Sequence, residues 1–258
     1  FEHTGLQADQ GADDAPLAVG SIQKPFVAKA WAEAHPGEAP PRFRCDPDSR
    51  CWLHSGHGEL GLSQALTVSC NAYFRQLAEA TPLPVLTDIF KTEGFLCKSL
   101  TAESAIGLAG ADGLLDIRPS ALLAAYVRLV KLPWPVGEPV RQQVLAGLRG
   151  AALTGTANLG QRGYWAKTGT VPIQGDPSHT CGLALAVDDT GWAILARLPR
   201  GTGREAAAAL GEPLARLRPW NMANLRLPRR KGKIPQPLQK NGSTFVRVRM
   251  LDLLGSRR

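Results

Sequence analysis

Three short motifs, each present once and in this order, constrain the chain more than any other feature: Ser21-Ile22-Gln23-Lys24, Ser69-Cys70-Asn71 and Lys167-Thr168-Gly169-Thr170. A Ser with Lys three residues later is expected about once in a chain of this length, so the first motif carries little alone. No other Ser has that Lys, no other Ser has an Asn two residues on, and Lys-Thr-Gly occurs once. Taken singly, Ser21 reads as a helix N-cap, Asn71 as a turn residue and Lys167 as a solvated strand charge. Taken together they supply hydroxyls, two amines and an amide, the parts that nucleophilic acyl transfer needs.

A Ser hydroxyl is a weak nucleophile near neutral pH and needs a base to take its proton. Lys24 lies one helical turn beyond Ser21, and residues three apart share a helix face. An amine serves as that base when burial and a neighbouring cation lower its pKa, and Lys167 can be the cation. The start of the helix also favours developing negative charge nearby. Ser69 can relay a proton between a leaving group and a Lys. Asn71 offers an amide that can meet both a Lys and a substrate carbonyl. Lys167 and Thr168 can hold a substrate carboxylate, and Gly169 lets the Ser21 helix and an extended substrate approach its strand. The backbone N–H groups of Thr170 and Ser21 would form an oxyanion hole. An edge strand at this place can also pair with a peptide by β-addition.

The chain has 258 residues, 44% of them hydrophobic, enough for one large domain or two small ones with a core. No run of about 18 apolar residues is present, so nothing reads as a membrane span. The chain opens at Phe1 without a signal-peptide pattern, and reads as a piece of a longer protein with any anchor or export signal upstream. The formal charge of +8 raises nucleic acid as a partner, but its distribution argues against that. Residues 226–258 hold ten Lys and Arg against one acidic residue, Asp252; the rest has 20 basic and 21 acidic residues. The basicity belongs to a Pro-containing tail, read as a solvated linker in preference to a contact for anionic lipid or wall polymer.

Cys45 and Cys51 stand six apart in the turn-rich segment Cys-Asp-Pro-Asp-Ser-Arg-Cys. A small disulfide-closed loop, fitting an oxidising compartment, is the favoured reading over free thiols. A metal site is the weakest reading: His54 and His57 are near, but no second Cys pair with zinc spacing accompanies them. No metal and no cofactor is therefore expected, and the odd fifth Cys has no assigned role.

Residues 1–20 read as loop. Ser21 opens a helix with Pro25 in its first turn, ended by His35-Pro36-Gly37. Residues 36–61 form a Pro, Cys and Gly-rich excursion. Ser63 caps a short helix through Leu66, and Ala72–Ala80, Ser120–Lys131 and Pro139–Leu153 are helical. The period then changes to two: Tyr164–Val171, Thr180–Val187 and Trp192–Leu198 read as strands, the last two joined antiparallel through Asp188-Asp189-Thr190-Gly191. Gly203–Arg218 is a closing helix. Helices first, strands late and a final helix imply an α+β layout with an antiparallel sheet. Domain bounds follow: 1–220 as one domain, 221–242 as a basic linker, and 243–258 as a tail or the truncated start of a further domain, since the strand-like Phe245–Met250 cannot fold alone. That strand is faintly similar to the start of sporulation-type amidase-enhancer domains.

The three motifs resemble those of the penicillin-binding proteins and serine β-lactamases. The resemblance extends through Gly20-Ser21-Ile22-Gln23-Lys24-Pro25-Phe26, through Cys51-Trp52, Gly56-His57-Gly58 and Ser69-Cys70-Asn71-Ala72-Tyr73-Phe74, and through Gly155-Thr156-Ala157 with Ala166–Thr170. It covers residues 16–218. It implies a transpeptidase-like fold, an antiparallel sheet with helices on both faces. Ser21 would be the acylated nucleophile, Lys24 the base, Ser69 and Asn71 the second-motif pair, and Lys167, Thr168 and Thr170 the carboxylate and oxyanion contacts. The implied substrate is the D-Ala-D-Ala end of peptidoglycan stem peptides, outside the cytoplasm, with β-lactams as covalent inhibitors and a membrane anchor, if any, outside this segment. Only twenty polar residues precede Ser21, which leaves the sheet's N-terminal strands unaccounted for. The short span from Asn71 to Lys167 leaves little room for acceptor-site loops. A D,D-carboxypeptidase, a β-lactamase and a catalytically silent wall-binding module are the alternatives. No Glu here has the Asn four residues on that class A β-lactamases use for deacylation, and class D enzymes carry an apolar residue where Asn71 stands.

Overall fold

Leu183-Ala184-Leu185-Ala186-Val187 alternates large and small side chains, yet every one of the five is buried. A strand with two buried faces must lie inside a sheet covered on both sides. The computed structural model describes residues 7–8, 14–108, 115–211, 214 and 244–249, and places this strand there. Strands β1 (Gln7–Ala8) and β2 (Leu17–Ala18) precede the turn of 3₁₀ helix Gly20–Gln23 and helix α1 (Lys24–Ala34). Strands β3 (Phe43–Cys45) and β4 (Gly58–Leu60) form a small hairpin. Helices α2 (Leu62–Thr67), α3 (Asn71–Glu79) and α4 (Leu83–Thr92) follow, then β5 (Leu96–Cys97), α5 (Ala102–Ala105), β6 (Leu115–Ile117), α6 (Pro119–Lys131) and α7 (Glu138–Leu153). Strands β7 (Tyr164–Ile173), β8 (Asp176–Asp188) and β9 (Trp192–Leu198) come next, then helix α8 (203–211) and β10 (Thr244–Arg249).

The main sheet is antiparallel in the order β1-β10-β9-β8-β7. Leu183, Leu185, Val187 and Leu195 face a core built from Phe26 and Val27 of α1 and Leu122, Leu123, Tyr126 and Val130 of α6. Ala166, Ala184, Ala186 and Ala196 face the other way, against Ala151 and Ala152 of α7 and Ala206, Ala207 and Leu210 of α8. The small residues on that face bring the helix backbones close to the sheet. The expected α+β class, with helices on both sides of an antiparallel sheet, is thus observed.

Three expectations change. The loop reading of 1–20 gives way to two short strands, one of them at the far edge of the main sheet. Strand β10 pairs with β9 along its whole length, Thr244 opposite Arg197 through Arg249 opposite Trp192. Residues 244–249, read from the sequence as strand-like without a partner, thus take a place in this sheet. An unpaired β9 edge would expose a row of backbone donors and acceptors, and β10 covers it. Helix α4 was not read from the sequence; its Pro84 falls in the first turn, where a missing N–H costs little, and Leu86, Ile89 and Phe90 turn inward.

Phe26 fixes the helix that matters most. Its ring meets Phe90, Phe95 and Tyr126 edge-on at centroid distances of 6.4, 5.4 and 5.6 Å. Such pairs are each worth about 0.5–1.5 kcal/mol beyond burial.

Candidate active site

The sequence put Ser21 at a helix start. Ser21 instead lies inside the 3₁₀ turn, with regular α-helix beginning at Lys24 and Pro25 still in its first turn. The turn is pinned from outside: Tyr126 Oη donates to the Ile22 carbonyl and Gln23 Nε2 donates to the Ser104 carbonyl. Gly107, at φ +82, lies directly against Gly20; a Cβ there would stand 2.1 Å from the Gly20 carbonyl carbon. Neither Gly107 nor Ser104 belongs to a motif, so nothing local in the sequence marks them.

The turn carrying Ser69-Cys70-Asn71 joins α2 to α3. Ser69 adopts a left-handed conformation, φ +55, which costs a non-glycine residue on the order of 1–3 kcal/mol. Two hydrogen bonds hold it: Ser69 N–H to Leu66 O at 3.2 Å and Cys70 N–H to Ala65 O at 2.9 Å.

Lys24 and Lys167 are both fully buried. Lys24 Nζ donates to the Ser69 carbonyl at 2.9 Å and to Asn71 Oδ1 at 2.6 Å, and lies 3.4 Å from Ser69 Oγ. Lys167 Nζ donates to Ser69 Oγ at 2.8 Å and to the Thr168 carbonyl at 3.0 Å. Ser69 Oγ thus stands between two amines from the first and third motifs. Among the described residues neither amine has a carboxylate partner. Burial lowers the Lys24 pKa to about 7; the nearby Cys70 and Cys51 act to raise it and Arg75 to lower it. Burial, and then the charge of Lys24, push Lys167 well below the usual lysine range. The repulsion between the two amines thus bears on Lys167, while Lys24 owes its shift first to desolvation.

β7 ends the sheet order, so among the described residues no strand pairs with its outer edge, and the Ser21 turn packs against it. Gly169 permits this: a Cβ there would lie 2.1 Å from the Val19 carbonyl oxygen. Thr168 Oγ1 donates to Thr156 Oγ1 at 3.0 Å, and Gly203 N–H donates to Thr170 Oγ1 at 2.9 Å. The structure therefore gathers Ser21, Lys24, Ser69, Asn71, Lys167, Thr168, Gly169 and Thr170 around one sheet edge, from three distant stretches of chain.

All five cysteines stand as free thiols in this structure, Cys45 and Cys51 among them. The two sulfurs instead point at His57 and at Cys70, the central residue of the second motif. The sulfurs of Cys51 and Cys70 are 3.9 Å apart, against about 2.05 Å for a disulfide. A hydrogen bond from the Cys70 thiol holds Cys51 down to about 3 and pushes Cys70 up.

No sequence-family model and no curated protein matches the chain. Solved structures do. PBP2 of Pseudomonas aeruginosa, in complex with WCK 5153, aligns at TM-score 0.65 and 17% identity over 83% of this chain and 63% of its own. The transpeptidase domain of the FtsI4 D,D-transpeptidase of Legionella pneumophila aligns at 0.57 and 18% identity, covering 81% of this chain and 80% of its own. Penicillin-binding protein A of M. tuberculosis, as a ceftriaxone acyl-enzyme, aligns at 0.60 and 15% identity, covering 79% and 60%. The fold is that of the penicillin-binding-protein transpeptidase domains. The chain spans about half the length of other matches, 50% in the case of PBP2 of Helicobacter pylori bound to MreC. No helix among the described residues is long and apolar enough to cross a membrane.

Proposed function

We propose that this is a serine penicillin-binding domain of the D,D-transpeptidase type, acting outside the cytoplasm on the D-Ala-D-Ala end of peptidoglycan stem peptides. One observation carries the reading: a fully buried Lys24 with its pKa lowered to about 7, hydrogen-bonded to Ser69 and Asn71 one helical turn from Ser21. Neutral Lys24 takes the Ser21 proton as Oγ attacks the carbonyl of the penultimate D-Ala. Negative charge develops on that carbonyl oxygen beside the N–H groups of Ser21 and Thr170. The tetrahedral intermediate collapses, the C–N bond breaks, and Ser69 passes a proton to the departing D-Ala amine. A Ser21 ester remains, and an acceptor amine or water resolves it. Burial and the charge of Lys24 disfavour the charged form of Lys167; a substrate carboxylate beside it and Thr168 favours that form, so recognition would oppose the effect of burial. A β-lactam follows the same course, with its opened ring still attached.

Intact-mass spectrometry after treatment with a penicillin tests this. One adduct is expected, mapped to the peptide holding Ser21. An adduct that survives Ser21→Ala overturns the assignment.

A further inference from the structure

Helix α5 is four residues long, too short to hold its shape alone, yet it bears on the turn that carries Ser21. The buried Ser104 offers its carbonyl to Gln23 Nε2, and Gly107, just past the helix, lies against Gly20. A reciprocal cap closes the helix start: Ser104 N–H donates to Thr101 Oγ1 at 3.1 Å and Thr101 N–H donates to Ser104 Oγ at 2.8 Å. One long side chain then reaches it from the helix of the second motif. Arg75 stands on α3, one turn beyond Asn71. Its Nε donates to Glu103 Oε1 at 2.6 Å, its Nη2 lies 3.5 Å from Glu103 Oε2, and its Nη1 donates to the Ser49 carbonyl at 3.0 Å. Building on Ser21 as the proposed nucleophile, we propose that Arg75 is a positioning residue for acylation, tying the helix of Asn71 to the α5 turn and so holding Ser21 in line with Lys24.

The nucleophile and its base have separate supports. The Lys24 amine is held by Ser69 and Asn71, at the start of α3. The Ser21 turn is held by Tyr126 of α6 and by Ser104 of α5. Arg75 and Glu103 join the support of the base to that of the nucleophile. A guanidinium suits the task, because its flat fork of donors meets two acceptors on two different stretches of chain at once, which a lysine ammonium does not match. Glu103 is half-exposed, and an isolated pair of that kind contributes little to stability. Its weight here lies in alignment, since a displacement of about 1 Å at the reacting groups can cost about a hundredfold in rate.

Arg75 also acts on the base through its charge. Burial brings the Lys24 pKa to about 7; Cys70 and Cys51 act to raise it and Arg75 to lower it. The other groups facing Lys24 are the Lys167 amine, whose charge opposes that of Lys24, and the Phe74 ring, whose centroid is 5.7 Å from Nζ and whose face favours the charged form. Loss of the Arg75 charge therefore moves Lys24 toward its protonated form.

Penicillin acylation of the full chain tests the role, read as two quantities: the rate of the acylation step at saturating penicillin, followed across pH, and the final number of adducts per chain. Arg75→Gln and Glu103→Gln should each slow the step at least about tenfold while still reaching one adduct per chain, because misalignment slows the reaction without removing folded protein. The double variant should be no more than about twofold slower than the slower single one, as for two residues that act as a unit. The pH midpoint should rise in Arg75→Gln and should not rise in Glu103→Gln or in Arg75→Lys, which keeps the charge and loses the fork. Arg42→Gln, which breaks the exposed Arg42–Glu59 pair, should stay within about twofold of wild type. An Arg75→Gln rate within about twofold of wild type overturns the role, as does a loss confined to the number of adducts, which a purely structural part would give. Single effects that multiply in the double variant, or an unmoved midpoint in Arg75→Gln, overturn it equally. Wild-type protein that takes up no penicillin breaks the Ser21 reading instead; wild type that labels, with Arg75→Gln labelling as fast, breaks only this one.

Discussion

The Ser69-Cys70-Asn71 turn has two faces, and they are chemical opposites. Ser69 and Asn71 hold the buried amines of Lys24 and Lys167, with no carboxylate partner among the described residues. Cys70, between them, faces two more sulfurs and an imidazole. One face is rich in protonatable nitrogen and the other in sulfur. The amines need burial to act as bases, since a solvated amine stays charged at neutral pH. The sulfurs answer to one another: the hydrogen bond between Cys70 and Cys51 lowers the pKa of Cys51 and raises that of Cys70. The two faces also communicate: burial drives the Lys24 pKa down, and Cys70 and Cys51 push it back up. The base strength of Lys24 is therefore set jointly by the core that buries it and the cluster behind the turn.

The largest expected effect breaks the amine face alone. Ser21→Ala should abolish the covalent penicillin adduct entirely. Next comes Lys24→Met, which keeps the aliphatic stem and removes the amine. Loss of a positioned general base typically lowers the rate by about 10²–10⁴-fold, and the second-order rate of penicillin acylation should fall by that amount. Stopped-flow or gel-based labelling measures it; a fall of less than about tenfold would hand the role of base to another group, Lys167 first.

The two faces also differed in how far the sequence revealed them. The amine face was legible because each motif states residue type and spacing locally, and the elements that carry the motifs form by local pattern. Strands β7 to β9 likewise announce themselves by alternation and a tight turn. The cysteine face was not legible. Cys45 and Cys51 alone look like the ends of a small loop, and Cys70 looks like the filler of a motif. Only the fold brings the third sulfur and His57 to them. The partner of strand β10 was missed for the same reason: its pairing with β9 spans 45 residues of chain, and a six-residue alternating segment does not name its partner. Gly107 and Ser104 brace the Ser21 turn from a stretch about eighty residues away, where no motif points.

The smallest effect is the pH dependence of acylation, and it discriminates most finely between the faces. Lys24 acts as a base only when neutral, and its pKa is lowered to about 7. Below that value the neutral fraction, and with it the acylation rate, should fall about tenfold per pH unit; above about pH 8 the rate should level off. The sign follows from protonation: acid charges the amine and removes the lone pair that accepts the Ser21 proton. A substitution on the sulfur face that keeps the fold, Cys51→Ser, removes a group that raises the Lys24 pKa. The midpoint of its acylation profile should therefore move to lower pH. A rate–pH series on the two proteins separates these effects, because support of the turn sets the plateau and the charge behind Cys70 sets the midpoint. An unmoved midpoint in Cys51→Ser would show that burial alone tunes Lys24 and that the faces share a backbone but no electrostatics.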